Sequence, residues 1–214
     1  MNDLCRYIDH TLLKPDAVTI DIERICMEAM RHKFKSVCVN SVWAGYAGNL
    51  LQHTDVELCC VVGFPFGASA GSVKAFEASY CVIMGATEID MVMDIGAALE
   101  GRWDDVVLDI KNVVRAVKDK AKVKVIIETG LLNNEQKRTA CKCVMDAGAH
   151  FVKTSTGFIK GGATAEDIEL IKSVVGTELG IKASGGIRTR KDALTMISMG
   201  ATRIGTSSAM SIIL

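Results

Sequence analysis

The apolar residues of this 214-residue chain change their spacing again and again, from every second residue to every third or fourth and back. The first spacing belongs to a strand with two faces and the second to a helix with one apolar stripe. Extended runs are expected at Tyr7 to Leu12, Ser36 to Asn40, Glu57 to Gly63, Glu88 to Asp94, Val123 to Thr129, Phe151 to Ser155, Ile181 to Ser184 and Arg203 to Thr206. Amphipathic stretches fill the gaps, at about Ala17 to Arg31, Val42 to Gln52, Ser72 to Gly85, Asp104 to Lys120, Asn134 to Gly148, Thr164 to Val175 and Thr189 to Gly200, with a last short one from Ser207. Asn133, Thr164 and Thr189 stand where caps are wanted, and Gly85, Gly148, Gly176 and Gly200 stand where helices stop. Strand followed by helix, about eight times over, predicts an α/β fold: a single (β/α)8 TIM barrel over residues 1–214. A doubly wound open sheet is the competing arrangement on pattern alone.

Composition narrows the function classes. Hydrophobic residues are 49% of the chain and charged ones 23%, enough for a large aliphatic core. The 25 basic residues balance 25 acidic ones, so there is no basic face for nucleic acid or for an anionic membrane. The eight cysteines form no C-x-x-C pair and none lies near a histidine at zinc-finger spacing; they read as reduced core residues of a cytoplasmic protein. The charged N-terminal segment does not resemble a signal peptide, and no apolar run reaches 18 residues. His10, His32, His53 and His150 are scattered, so no metal is expected.

Alternation within the strands says which faces carry chemistry. Ile89, Met91 and Met93 oppose Glu88, Asp90, Val92 and Asp94, and the apolar set must meet helices. By the same rule Lys124, Lys153, Lys182 and Cys38 turn away from the helices, which in a closed barrel means inward. Lysine is depleted from strands and costly to bury, so Lys153 and Lys182 are the most informative residues. As neighbours, each ammonium disfavours charging of the other, which leaves one amine neutral and able to form a Schiff base with a carbonyl. Asp90 or Asp94 would then move the protons. The bland alternative is a structural network in which the lysines pair with Asp90 and Glu128, or strand ends in water.

Two loops suggest a phosphate. Gly185-Gly186 follows the seventh strand and Gly205-Thr206-Ser207-Ser208 closes the eighth at the start of a final helix, where barrels commonly hold phosphate; two glycine turns and a serine cap are the alternative. Gly67-Ala68-Ser69-Ala70-Gly71 matches a G-x-S-x-G nucleophile elbow, but Phe64-Pro65-Phe66 separates it from the strand, so a loop is expected there.

Taken together, Ile8-Asp9-His10-Thr11-Leu12-Leu13-Lys14-Pro15, Gly63-Phe64-Pro65-Phe66-Gly67, Glu88-Ile89-Asp90, Lys153-Thr154-Ser155-Thr156-Gly157 and Lys182-Ala183-Ser184-Gly185-Gly186-Ile187-Arg188 resemble the deoxyribose-phosphate aldolases, a family of short class I aldolases. The resemblance runs in order along nearly the whole chain. It implies that Lys153 forms the Schiff base, that Lys182 perturbs it and shares in proton transfer, and that Asp90 donates and accepts protons. It further implies pocket roles for Lys124 and Cys38, and substrate or phosphate contacts for Thr156, Gly185, Gly186, Ser207 and Ser208. The reaction so implied is reversible cleavage of 2-deoxy-D-ribose 5-phosphate to D-glyceraldehyde 3-phosphate and acetaldehyde, with no cofactor, in a homodimer or higher oligomer. Departures from the family pattern are Asp94, which as a second inward carboxylate would compete with Asp90 for the lysine charges, Ala70-Gly71-Ser72, and an ending without the terminal tyrosine that some members place over the site. Another Schiff-base aldolase or transaldolase, or a phosphosugar-binding barrel without turnover, would use the same residues.

Overall fold

The computed structural model describes residues 4–159 and 161–214. Eight parallel strands close into a barrel in chain order, with β1 pairing both β2 and β8. They are β1 Ile8–Leu12, β2 Ser36–Val39, β3 Glu57–Val62, β4 Glu88–Val92, β5 Lys122–Ile126, β6 Phe151–Lys153, β7 Gly180–Ser184 and β8 Arg203–Thr206. The open-sheet alternative is thereby excluded. The helices are α1 Thr19–His32, α2 Ala44–Leu51, α3 Gly71–Ile83, α4 Ile95–Leu99, α5 Trp103–Ala116, α6 Asn134–Asp146, α7 Ala165–Val175, α8 Arg190–Ser198 and α9 Ala209–Ile213.

The expected punctuation is in place. Asn133, Thr164 and Thr189 each accept a backbone N–H of the first turn of their helix, from Gln136, Asp167 and Asp192. Gly85, Gly148, Gly176 and Gly200 all take positive φ where a helix ends. Each helix then buries one stripe: α5 turns Val106, Ile110 and Val113 to the sheet, each burial contributing about 2 kcal/mol. This core between sheet and helices is continuous. A second, small apolar cluster of Leu13, Cys38, Cys59 and Val61 fills one side of the barrel interior, leaving the other side to charged groups. All eight cysteines are free thiols, seven of them buried. Among the described residues no helix is long and apolar enough to cross a membrane.

Three strands end two or three residues short of the sequence reading, the first two of them for a clear local reason. The fourth extended run stops at Val92 because Asp94 caps a helix the periodicity did not reveal: its Oδ1 accepts the N–H of Ala97 at 3.0 Å, opening the five-residue α4. Asp94 is therefore no inward rival to Asp90. The fifth run stops at Ile126, because Glu128 takes a left-handed backbone (φ 53°) and the chain turns through Thr129–Leu131. The sixth run stops at Lys153. Ser69 lies in the loop before α3 rather than on a strand-to-helix elbow.

One buried ion pair ties the outer layer to the mouth of the barrel. Lys74 of α3, wholly buried, donates to Asp109 of α5 at 2.7 Å, and the same carboxylate oxygen accepts the N–H of Asp94 at 3.0 Å. Burial pushes the Asp109 carboxyl above its ordinary value, with Lys74 opposing. Removing one partner of such a pair strands the other charge. The Lys74→Met variant is expected to lose about 3 kcal/mol of stability, read as a lower urea midpoint with an unchanged slope.

Candidate active site

The register of the barrel sets the charged side chains beside one another. Asp90 pairs across the sheet with Lys124, Lys153 with Lys182, and Lys182 with Arg203. With side chains alternating between faces, these residues all point inward. Asp90 is the hub. Its Oδ2 accepts from Lys153 Nζ and from Lys182 Nζ, each at 2.7 Å, and its Oδ1 accepts from Lys124 Nζ at 2.8 Å and from the Cys59 thiol at 3.1 Å. Towards the N-terminal end of the barrel, Asp9 Oδ2 lies 2.5 Å from Lys182 Nζ, and Glu88 Oε2 lies 2.7 Å from Lys124 Nζ. Arg203 joins the two carboxylates, giving Nη1 to Asp9 Oδ1 and to Glu88 Oε2 at 2.8 Å and Nη2 to Glu88 Oε1 at 3.0 Å.

The electrostatics follow from this packing. Burial opposes ionisation of Asp90, yet the ammonium groups of Lys124, Lys153 and Lys182 outweigh it and hold the carboxyl well below the usual range. Asp9 and Glu88 are likewise held down against burial, Asp9 by Lys182, Lys124 and Arg203, Glu88 chiefly by Lys124. Burial would lower Lys182 and Lys124, but the carboxylates win and keep both firmly cationic. Mutual repulsion of Lys153 and Lys182 is thus only part of the account, since a shared carboxylate stands between them. Four cations, Lys124, Lys153, Lys182 and Arg203, face the three carboxylates Asp9, Glu88 and Asp90, one positive charge in excess.

Access separates the lysines. A cavity of about 250 Å³ opens at the C-terminal end of the strands, and Lys153 lines it. Lys124 and Lys182 have no exposed surface and lie beneath. Space for Lys182 depends on Gly205 of β8, where an added Cβ would come within 2.9 Å of Lys182 Cε. Of the other sequence candidates, Thr156, Gly185, Gly186 and Ser207 also line the cavity. Thr156 is held there by Glu128, which accepts its hydroxyl at 2.6 Å and its N–H at 3.2 Å, so Glu128 serves the loop and not the lysines. Ser208 stands just outside the lining, its N–H donated to the Thr206 hydroxyl at 2.9 Å. The closing helix α9 is only five residues long, so this loop offers Ser207 and backbone groups rather than a substantial helix dipole.

Cys38 is wholly buried against Cys59, whose thiol hydrogen bond pulls it below its ordinary value; burial pushes Cys59 well up. Cys38, Cys59 and Asp90 bring donor atoms within 4.8 Å of one another, but Asp90 is already saturated by three ammonium groups, whose charge repels a metal ion. Sequence reasoning singled out neither Arg203 nor Asp9 as site residues, nor Lys14 and Arg188, two exposed cations on the rim of the cavity beside Gly186. The signal for Arg203 was available: an arginine opening a short strand inside an otherwise apolar pattern.

A lysine amine at the mouth of a (β/α)8 barrel, hydrogen-bonded to a buried carboxylate and facing glycine loops, is an arrangement suited to an enzyme that works on a carbonyl compound. The chain belongs to the DeoC/LacD family of aldolases, whose pattern matches residues 4–211, and it is accordingly a lyase. It is 56% identical over 210 residues to the deoxyribose-phosphate aldolase of Bdellovibrio bacteriovorus, covering 98% of this chain and 95% of that one. It is 53% identical to the enzyme of the same name from Carboxydothermus hydrogenoformans, covering 98% and 93%. Among solved structures, the tetrameric deoxyribose phosphate aldolase of Aeropyrum pernix superposes with a TM-score of 0.93 at 34% identity, over 99% of this chain and 90% of that one. An aldolase designated QR15 gives 0.94 at 41% identity, over 99% and 95%.

The depressed carboxyls fix the sign of an acid effect. Groups held below their unfolded values add stability that is complete above about pH 4 and is lost as pH falls through the lower folded values. The difference in urea midpoint between the parent protein and Asp90→Asn should therefore be full at pH 6 and shrink below about pH 4.

Proposed function

We propose that this barrel cleaves 2-deoxy-D-ribose 5-phosphate reversibly to D-glyceraldehyde 3-phosphate and acetaldehyde, with Lys153 as the Schiff-base nucleophile. The observation that carries the reading is the contrast in access: of three lysines sharing one carboxylate, Lys153 alone lines the cavity. The excess positive charge of the cluster favours release of one proton, and a neutral amine is what attacks the C1 aldehyde of the open-chain sugar. The carbinolamine loses water to give an iminium ion. The C3 hydroxyl then gives up its proton, the C2–C3 bond breaks, and its electron pair moves into the iminium to form an enamine on Lys153 as glyceraldehyde 3-phosphate departs. Protonation at C2 and hydrolysis release acetaldehyde and the free amine. Asp90, 2.7 Å from Lys153 Nζ, moves these protons, and Lys182 holds the carboxylate in place from the other side.

The phosphate is assigned to Gly185, Gly186 and Ser207, with Ser208 behind them and the positive side chains of Lys14 and Arg188 at the rim. Thr156 is assigned to the sugar, and Lys124 and Cys38 to the wall beneath it. No cofactor is required by this chemistry. The reaction is that of a cytoplasmic enzyme acting on soluble metabolites, without nucleic acid or membrane as partner.

Borohydride added to protein and acetaldehyde should leave an ethyl group on the peptide holding Lys153, seen by mass spectrometry. Lys153→Met should abolish both adduct and turnover with the barrel still folded. An adduct elsewhere, or turnover retained in that variant, sinks the assignment. Dihydroxyacetone offered in place of acetaldehyde separates an aldolase or transaldolase with another donor.

We also propose a homo-oligomer. The support is an exposed apolar stripe on α3, formed by Val73, Phe76, Tyr80 and Ile83, with Val42 on the neighbouring turn. A stripe of this kind on one helix is a surface that self-association would cover. Sedimentation should show an assembly, and Phe76→Glu combined with Ile83→Glu should shift it to monomer; a monomeric parent protein refutes the proposal.

A further inference from the structure

We infer that Arg203 is a positioning residue that sets the charge of the lysine layer, and with it the pH above which the reactive amine works. The inference rests on the Schiff-base reading of Lys153. Arg203 opens β8 at the end of the barrel away from the cavity and does not line it. Its guanidinium is buried, spans Asp9 and Glu88, and lies 5.4 Å from the centre of the Phe151 ring. Asp9 and Glu88 in turn are the groups that hold Lys182 and Lys124. The guanidinium therefore acts on the catalytic lysines through two carboxylates, never by contact with them. The fork of Arg203 takes both oxygens of Glu88 and one of Asp9, which fixes where the remaining negative charge of each can go.

Its second effect is on total charge. Around Lys153 the barrel holds Asp9 from β1, Cys38 from β2, Cys59 from β3, Glu88 and Asp90 from β4, Lys124 from β5, Lys182 from β7 and Arg203 from β8, with Glu128 beyond β5 engaged by Thr156 and with Lys14 and Arg188 exposed to solvent on the cavity rim, outside the buried set. With Arg203 the carboxylates are outnumbered by cations. Without it the three carboxylates match the three lysines, and nothing favours loss of a proton from the cluster. A guanidinium supplies that excess better than a fourth lysine, because it stays charged at any working pH.

Two variants test this with opposite signs. Arg203→Met removes a positive charge, so the acid limb of kcat/KM for cleavage should move to higher pH by about one unit. Glu88→Gln removes a negative charge at similar volume, so the limb should move to lower pH by a similar amount. Arg203→Lys keeps the charge and loses the fork, so its limb should stay near that of the parent protein while kcat falls. The pH dependence of borohydride trapping with acetaldehyde should move in step with each limb, since it reads the amine before carbon–carbon cleavage. A merely structural role would lower activity in all variants without displacing the limbs in opposite directions. Limbs that stay put in folded variants, or that move the same way in Arg203→Met and Glu88→Gln, overturn the inference. Should Arg203→Met fail to fold, an unmoved limb in Glu88→Gln is sufficient to overturn it. Absence of any trapped adduct in the parent protein would instead overturn the Schiff-base reading itself.

Discussion

One carboxylate, that of Asp90, organises the interior. Three ammonium groups and a thiol converge on its two oxygens. None of these charges would be tolerable alone at full burial, where desolvation costs several kcal/mol per ion. Together they compensate one another, and Asp9, Glu88 and Arg203 complete the set. The arrangement fixes each lysine by what surrounds it, so that lysines on neighbouring strands stand in different environments. Lys182 is clamped as a cation between Asp9 and Asp90, and Lys124 among Asp9, Glu88 and Asp90, whereas Lys153 contacts Asp90 and the open cavity.

The remainder of the fold can be understood as support for that set. The outer helices keep a continuous aliphatic core against the sheet, so the barrel interior is relieved of the task of supplying hydrophobic stability. Its small apolar cluster of Leu13, Cys38, Cys59 and Val61 occupies one side only. Gly205 gives up its own side chain so that the Lys182 stem can pass. Lys74 and Asp109 fasten the strand β4 exit, two residues beyond which Asp94 starts a helix. The loops carry the groups that line the cavity, and the Thr156–Glu128 contact shows how one of them is pinned.

Much of this was legible in the chain. A lysine inside a strand pattern is conspicuous because strands disfavour it, and alternation by itself puts Lys124, Lys153 and Lys182 on the same side of the sheet as Asp90. The eightfold strand–helix rhythm and its glycine stops translated directly into the closed barrel. What failed to show were features shorter than a period. The five-residue α4 offers too few turns for an amphipathic pattern, so Asp94 looked like one more inward carboxylate of β4. The left-handed Glu128 broke β5 where the sequence alternation ran on. Arg203 and Asp9 escaped notice because their importance lies in whom they touch across 194 residues of chain, a relation that only closure of the barrel creates.

The sealing of Lys124 and Lys182 has a protective side. Acetaldehyde condenses with any accessible neutral amine, and an aldolase of this kind would bathe its own interior in that compound at every turnover. With two of the three amines around Asp90 wholly enclosed and held as ammonium ions, Lys153 is the one member of that set open to an aldehyde in the cavity. The carboxylates that hold Lys124 and Lys182 as cations thus also shield them from reaction with an aldehyde product.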